Sequence, residues 1–250
     1  MSVSLSSTSL ALANGATTSA AQEDPTTSAL NKLSPSLGKA HERVRAQLQS
    51  DSASLSQLGK YKATVSDLAA AAQSLGQLDV GANAVNGIQT VERFVAAYNQ
   101  AITASQASAS GDTSSTLAAS RRNLTNADTS RSQLAKLGIS RQSDGTLKLD
   151  TTTLKKALST NSTSNTTSIA DTGLSTLAQL GKAIGKRAAS ELSANSRIAT
   201  ATTLYTDKAS QLKRQQSRLQ EVASQLTAQV SSSTTNSDWT TQQALRKYTS

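Results

Sequence analysis

Leu134 to Leu158 reads "LAKLGISRQSDGTLKLDTTTLKKAL", and this stretch decides the fold. Leu137-Gly138 closes a helix, because Gly138 suits the left-handed conformation in which many helices end. Ile139 then begins a strand. Within "SDGT", the Asp144-Gly145 pair favours a tight hairpin turn with positive φ. The alternation in "TLKLD" puts Leu147 and Leu149 on one face and turns Lys148 to water. Asp150 caps a further helix whose apolar residues are Leu154 and Leu158. The order is helix, β-hairpin, helix. Two strands alone are marginally stable, so Ile139, Leu147 and Leu149 are expected to pack against helices.

Working outward, the flanks are helical. Ser34 and Pro35 form a cap and first turn. Beyond them Val44, Leu48, Leu55, Leu58, Val65, Ala69 and Ala72 follow steps of three and four, with polar interruptions at Asp51 and Lys62. "GQLDVGANAVNG", Gly76 to Gly87, is a break. Ile88, Val91, Val95, Tyr98 and Ile102 form the stripe of a second helix. After the hairpin, "STNSTSNTTS" is a polar loop. Helix resumes near Thr172, loosened by Gly173, Gly181 and Gly185. It continues with Tyr205, Leu212, Leu219 and Leu226 recurring every seven residues and Val222 between them. Lys208 and Gln215 hold the other intermediate positions, so this seam is half polar.

These readings divide the chain into a disordered leader at 1–33, an N-terminal coiled-coil helix at 34–80, and a helical core at 81–171 carrying the hairpin at about 139–149. C-terminal coiled-coil helices at 172–232 and a flexible tail at 233–250 follow. Trp239, the lone tryptophan, is a candidate anchor on that tail. The expected fold class is mainly α: an elongated antiparallel helical bundle or coiled coil of the N- and C-terminal helices with a small β-hairpin. The candidate oligomer seam comprises Val44, Leu48, Leu55, Leu58 and Val65 with Tyr205, Leu212, Leu219, Val222 and Leu226.

Composition narrows the function. Of 250 residues, 36% are hydrophobic and 2% aromatic, too few for a thick core. Helices this rich in Ala and Ser gain little by packing alone, which favours self-association. Cysteine is absent, which removes disulfides, thiolate catalysis and thiolate metal sites. The one histidine, His41, and scattered carboxylates form no catalytic or metal constellation. "GKAIGKR" at Gly181 lacks the strand and spacing of a phosphate loop. No enzyme, metal or cofactor is expected. The net charge of +9 is read as a solvated surface. Its densest patch, Lys213-Arg214 with Lys208 and Arg218, lacks the interleaved aromatics of a nucleic-acid site. No apolar run is long enough for membrane insertion. The start lacks the basic region of a signal peptide and is read as an uncleaved leader.

The hairpin stretch resembles the C-terminal domain of the flagellar filament cap proteins (hook-associated protein 2, the FliD family). The matching residues are Leu137, Gly138 and Ile139, then Asp144 to Leu147, Asp150, and Leu154 with Ala157 and Leu158. "VNGIQTVERFVAAYNQAI", with Phe94, Val95, Tyr98 and Asn99, is similar to a helix of that family. "TLYTDKASQLKRQQSRLQEVASQL" is similar to its terminal coiled-coil helix, and "NSDWTTQQ" to its close. The resemblance spans about Ser36 to Gln243. It implies a structural, non-enzymatic protein that oligomerises at the filament tip and helps flagellin fold and polymerise. The partners implied are copies of itself, flagellin, hook-associated and junction proteins, and a flagellar export chaperone. The implied location is extracellular, after export without a cleaved signal peptide. The outer β-rich domains usual between the two N-terminal helices are absent, so the resemblance does not extend to outer-plate functions such as adhesion. The alternatives are another axial component, flagellin-like or at the hook–filament junction, and a non-flagellar coiled-coil binding module.

Overall fold

A computed structural model describes residues 25–78, 84–107, 111–126, 131–159 and 169–248. Among the described residues there are eight helices and one two-stranded antiparallel sheet, a mainly α bundle with a β-hairpin. In order these are α1 (Pro25–Leu33), α2 (Pro35–Gly76), α3 (Ala84–Ser105), α4 (Gly111–Thr125), α5 (Arg131–Lys136), β1 (Ile139–Arg141), β2 (Leu147–Leu149), α6 (Thr151–Ser159), α7 (Ile169–Leu192) and α8 (Arg197–Tyr248). The chain divides into two compact units. One comprises Met1–Arg43 with Arg218–Ser250, the other Val44–Ser217.

The larger unit holds the core. Residues 51, 54, 58, 61, 65, 68, 72 and 75 are the buried track of α2, a run of alternating three- and four-residue steps. Leu58, Val65 and Ala72 were expected on it. Its other members are Asp51, Ser54, Tyr61, Leu68 and Leu75, while Leu55 and Ala69 lie half-buried and Lys62 is exposed. The side chains of Phe94, Tyr98 and Ile102 on α3, Leu117 and Leu124 on α4, Leu154 on α6, and Leu177 and Ile184 on α7 complete the centre. Phe94 and Tyr98, one turn apart, meet at 6.1 Å between ring centroids.

Gly181 does not loosen α7. A Cβ there would lie 2.4 Å from the Gly76 nitrogen and 2.7 Å from the Ala72 oxygen. The glycine lets the α7 and α2 backbones touch, which no larger residue permits. Helix α7 ends at Leu192, where Ser193 to Ser196 break the chain. Ser196 then caps α8: its Oγ accepts from the Ala199 amide at 3.1 Å and its carbonyl from the Thr200 amide at 3.0 Å.

A buried polar chain ties three helices together. The Tyr61 hydroxyl of α2 lies 2.8 Å from Ser120 Oγ of α4. Ser120 donates to Glu191 of α7 at 2.6 Å, and Asn123 Nδ2 donates to the same carboxylate at 2.6 Å. Arg187 donates to the Asn123 and Asn126 carbonyls, at 3.0 and 2.7 Å. Burial is the main reason the Tyr61 phenol is pushed up to about 12; the Ser120 hydrogen bond pulls it back and the Glu191 charge raises it. Nearby, Thr113 on α4 donates to the Tyr205 hydroxyl at 3.0 Å, fixing the start of α8.

The smaller unit corrects the leader boundary. Residues 25–33 are helical rather than disordered. Pro25 suits a first turn, Leu30 is buried, and the Thr27 hydroxyl lies 3.1 Å from His41 Nδ1, so His41 is a packed residue. Residues 1–24 and the polar loop at 160–168 lie outside the described residues.

Candidate assembly surfaces: the clasped hairpin and the open face of α8

The hairpin register pairs Ile139 with Leu149, Ser140 with Lys148, and Arg141 with Leu147. Gln142 donates to the Thr146 carbonyl at 2.8 Å, and Gly145 to the Gln142 carbonyl at 3.1 Å. Gly145 has φ of 90°, and among the described residues no non-glycine residue has positive φ. This pattern is a three-residue loop, a turn followed by one left-handed glycine. The expected positive φ is therefore present, and it falls on Gly145 alone. Asp144 Oδ1 closes the loop by accepting from the Thr146 amide at 2.9 Å and its hydroxyl at 2.6 Å. The Thr146 hydroxyl foremost, then its amide, hold the Asp144 carboxyl below its ordinary range.

Gly138 has φ of 74°, the left-handed cap expected. Asp150 caps α6: its Oδ1 accepts from the Thr152 and Thr153 amides at 3.0 and 3.1 Å, and its Oδ2 from the Thr153 hydroxyl at 2.7 Å. Those bonds, the Thr153 hydroxyl first, depress the Asp150 carboxyl. Ile139 and Leu147 are buried and Leu149 is half-buried.

Helix α3 clasps this hairpin through two side-chain amides one heptad apart. Asn99 Nδ2 donates to the Leu147 carbonyl at 2.8 Å, while its Oδ1 accepts from the Leu147 amide at 2.7 Å. Gln106 Nε2 donates to the Asp144 carbonyl at 2.9 Å. Leu147 and Arg141 form a pair whose backbone groups point outward, so Asn99 satisfies what β1 cannot. Arg141 in turn donates to the Thr125 carbonyl at the end of α4. The Tyr98 hydroxyl is buried and forms no hydrogen bond of good geometry. Burial pushes this phenol up, and the neighbouring Arg141 charge partly offsets it.

Helix α8 differs along its length. Tyr205 is buried and Lys208 places its ammonium 5.3 Å from that ring centroid. From Thr206 to Ser232 no residue is fully buried. Leu212, Leu219 and Leu226 are half-buried, Val222 is 42% exposed and Val230 56%. Of the α2 seam residues, Val44, Leu48 and Leu55 are half-buried, whereas Leu58 and Val65 join Tyr205 in the core. The segment read as a tail is helical to Tyr248. The proposed anchoring of Trp239 concerns a side chain outside those described.

Sequence reasoning marked Asn99 only as part of a motif. It gave no hint of the buried links among Tyr61, Ser120, Asn123 and Glu191, whose partners are 59 to 71 positions apart. No described helix is long and apolar enough to cross a membrane. Among the described residues no group of His, Cys, Asp and Glu could hold a metal ion.

No curated protein and no solved structure matches the chain. The family model described as the flagellar hook-associated protein 2 C-terminus matches residues 111–250, from the start of α4 through the hairpin and all of α8. That is more than half of the chain, and the proteins of this family are structural components of the extracellular flagellum. With its clasped hairpin and long terminal helix inside the matched region, the chain belongs to the flagellar hook-associated protein 2 family, that of the filament cap proteins.

Proposed function

We propose that the chain is a cap-like subunit that oligomerises with its own copies at the filament tip, where it promotes the folding and polymerisation of flagellin. The observation that carries this reading is the apolar register of α8. Leu212, Leu219, Val222 and Leu226 recur at heptad positions and none is fully buried. A single chain gains little from such a stripe, whereas copies that meet along it remove its apolar area from water. Tyr205 roots the helix in the core, and Val44, Leu48 and Leu55 on α2 offer further half-buried positions. Trp239 is the candidate anchor into a neighbour.

Flagellin is the proposed client, and hook-associated or junction proteins and an export chaperone are the proposed further partners. Export without a cleaved signal fits a cysteine-free chain that passes unfolded through a narrow channel. Deleting the gene tests the reading. Flagellin should then appear in the medium as monomer, with restoration of filaments by the intact gene. Normal filaments in the deletion strain exclude a cap role.

A further inference from the structure

Helix α8 enters the core of the larger unit on one track. Ile198, Ala201 and Tyr205, at steps of three and four, are buried, and the next two members, Lys208 and Leu212, are half-buried. The change coincides with the first charged residue on the track. A lysine keeps its ammonium out of an apolar core, and this one rests 5.3 Å from the Tyr205 ring centroid. Among the described side chains of α8, Tyr205 is the last that is buried. It is held by its ring and by its hydroxyl, which accepts from Thr113 Oγ1 at 3.0 Å. The donor sits on a fixed platform. Thr113 shares one buried face of α4 with Leu117, Ser120 and Leu124. Ser120 is tied to Tyr61 of α2 and to Glu191 of α7, and Asn123 to the same carboxylate. Helix α4 therefore keeps its place without help from α8. The reverse does not hold, because Thr206 to Ser217 are all half-buried or exposed.

We infer that the Thr113–Tyr205 hydrogen bond is a latch: α4 holds it, and its opening frees the turns of α8 from Thr206 to Ser217 while the core stays folded. Segments with few buried contacts are the ones that open locally, at less cost than global unfolding. This bond stands where such a segment begins. Its loss falls on one side, since the donor is held by other helices and the acceptor belongs to the helix that has little else to hold it. While the latch is closed, the face of α8 that bears Leu212 keeps one orientation. Copies that meet along α8 would use that orientation, but the latch is a property of the single chain and is tested there.

The test is amide hydrogen exchange on the dilute full chain, at a concentration where light scattering reads monomer. The variants are Tyr205→Phe, Thr113→Val, the two combined, and Thr113→Ser, which keeps the hydroxyl. Amides from Thr206 to Ser217 should exchange about fivefold faster in each of the first two. The combined variant should show no further gain, as expected of two groups that act through one bond. Thr113→Ser should match the wild type, and amides from Leu117 to Leu124 in α4 should not change in any variant. Tyr205→Phe, which keeps the ring in place, decides the matter if Thr113→Val loses its circular-dichroism spectrum. The inference is overturned if Tyr205→Phe leaves exchange in α8 unchanged, if α4 and α8 accelerate equally, or if the two single effects add. The first means that the ring alone holds the helix, the second an ordinary contribution to global stability, the third two unconnected hydroxyls.

Discussion

In the hairpin, outward-facing polar groups meet side chains placed to receive them. Leu147 has Asn99, the Asp144 carbonyl has Gln106, the Thr146 amide has Asp144, and the start of α6 has Asp150. In α8 beyond Tyr205, the hydroxyls of Thr206, Ser210, Ser217, Thr227 and Ser231 bond back to their own helix, and the leucines stay partly in water. The first region is specified from within the chain. The second satisfies its backbone locally and leaves its apolar face available. A helix of this second kind is stabilised chiefly by what it packs against, so the two regions should respond to different perturbations.

The sharpest separation is expected from Leu212→Ala combined with Leu219→Ala. If copies meet along α8, each truncation costs about 2–5 kcal/mol in the assembled state, enough to abolish self-association. Melting of the dilute chain should barely move. Light scattering across a concentration series checks this, and a wild type that remains monomeric at every concentration breaks the comparison. On the other side, Gly181→Val forces a branched side chain against the backbone of Gly76 and Ala72. A loss of about 3 kcal/mol or more of stability is expected from such overpacking, read from denaturant unfolding.

Smaller, and confined to the hairpin, is Asn99→Ala. It leaves the amide and carbonyl of Leu147 without partners in a buried position. The expected cost is about 1–3 kcal/mol, seen as faster amide exchange from Ile139 to Leu149 with α8 unchanged. The mildest probe is alkaline titration of the four tyrosines. Tyr61 and Tyr98 should ionise late, Tyr61 near pH 12. A phenol raised on folding contributes its stability below the unfolded value near 10 and loses it as pH climbs through 12. Absorbance at high pH should show that late step shrink in Tyr61→Phe.

What the sequence disclosed follows the same division. Gly138, Asp144-Gly145 and Asp150 were legible because each acts on its neighbours, and φ of 74° and 90° at the two glycines is the local consequence. Helix existence was legible from periodicity, but the buried track of α2 was not fully so. A three-four pattern admits adjacent tracks, and Leu55 and Ala69 compete with Ser54 and Leu68 one residue away. Tyr61 settles the matter through Ser120, a partner on another helix. Helix α1 went unread because its Ser- and Thr-rich string supplies few anchors, and its contact with His41 lies 14 residues away. The amide of Asn99 carries no local mark of the strand it meets 48 residues later.

That amide has one further effect. A strand with free outward N–H and C=O groups is a template on which another chain can be laid down. Asn99 offers one donor and one acceptor at the spacing of a peptide bond, so it stands in as a third strand a single residue long. The sheet is terminated on the β2 side by a helix that cannot itself be extended. If copies do meet along α8, as proposed, this side chain keeps the β2 edge of the hairpin from offering them a second place to pair at Leu147.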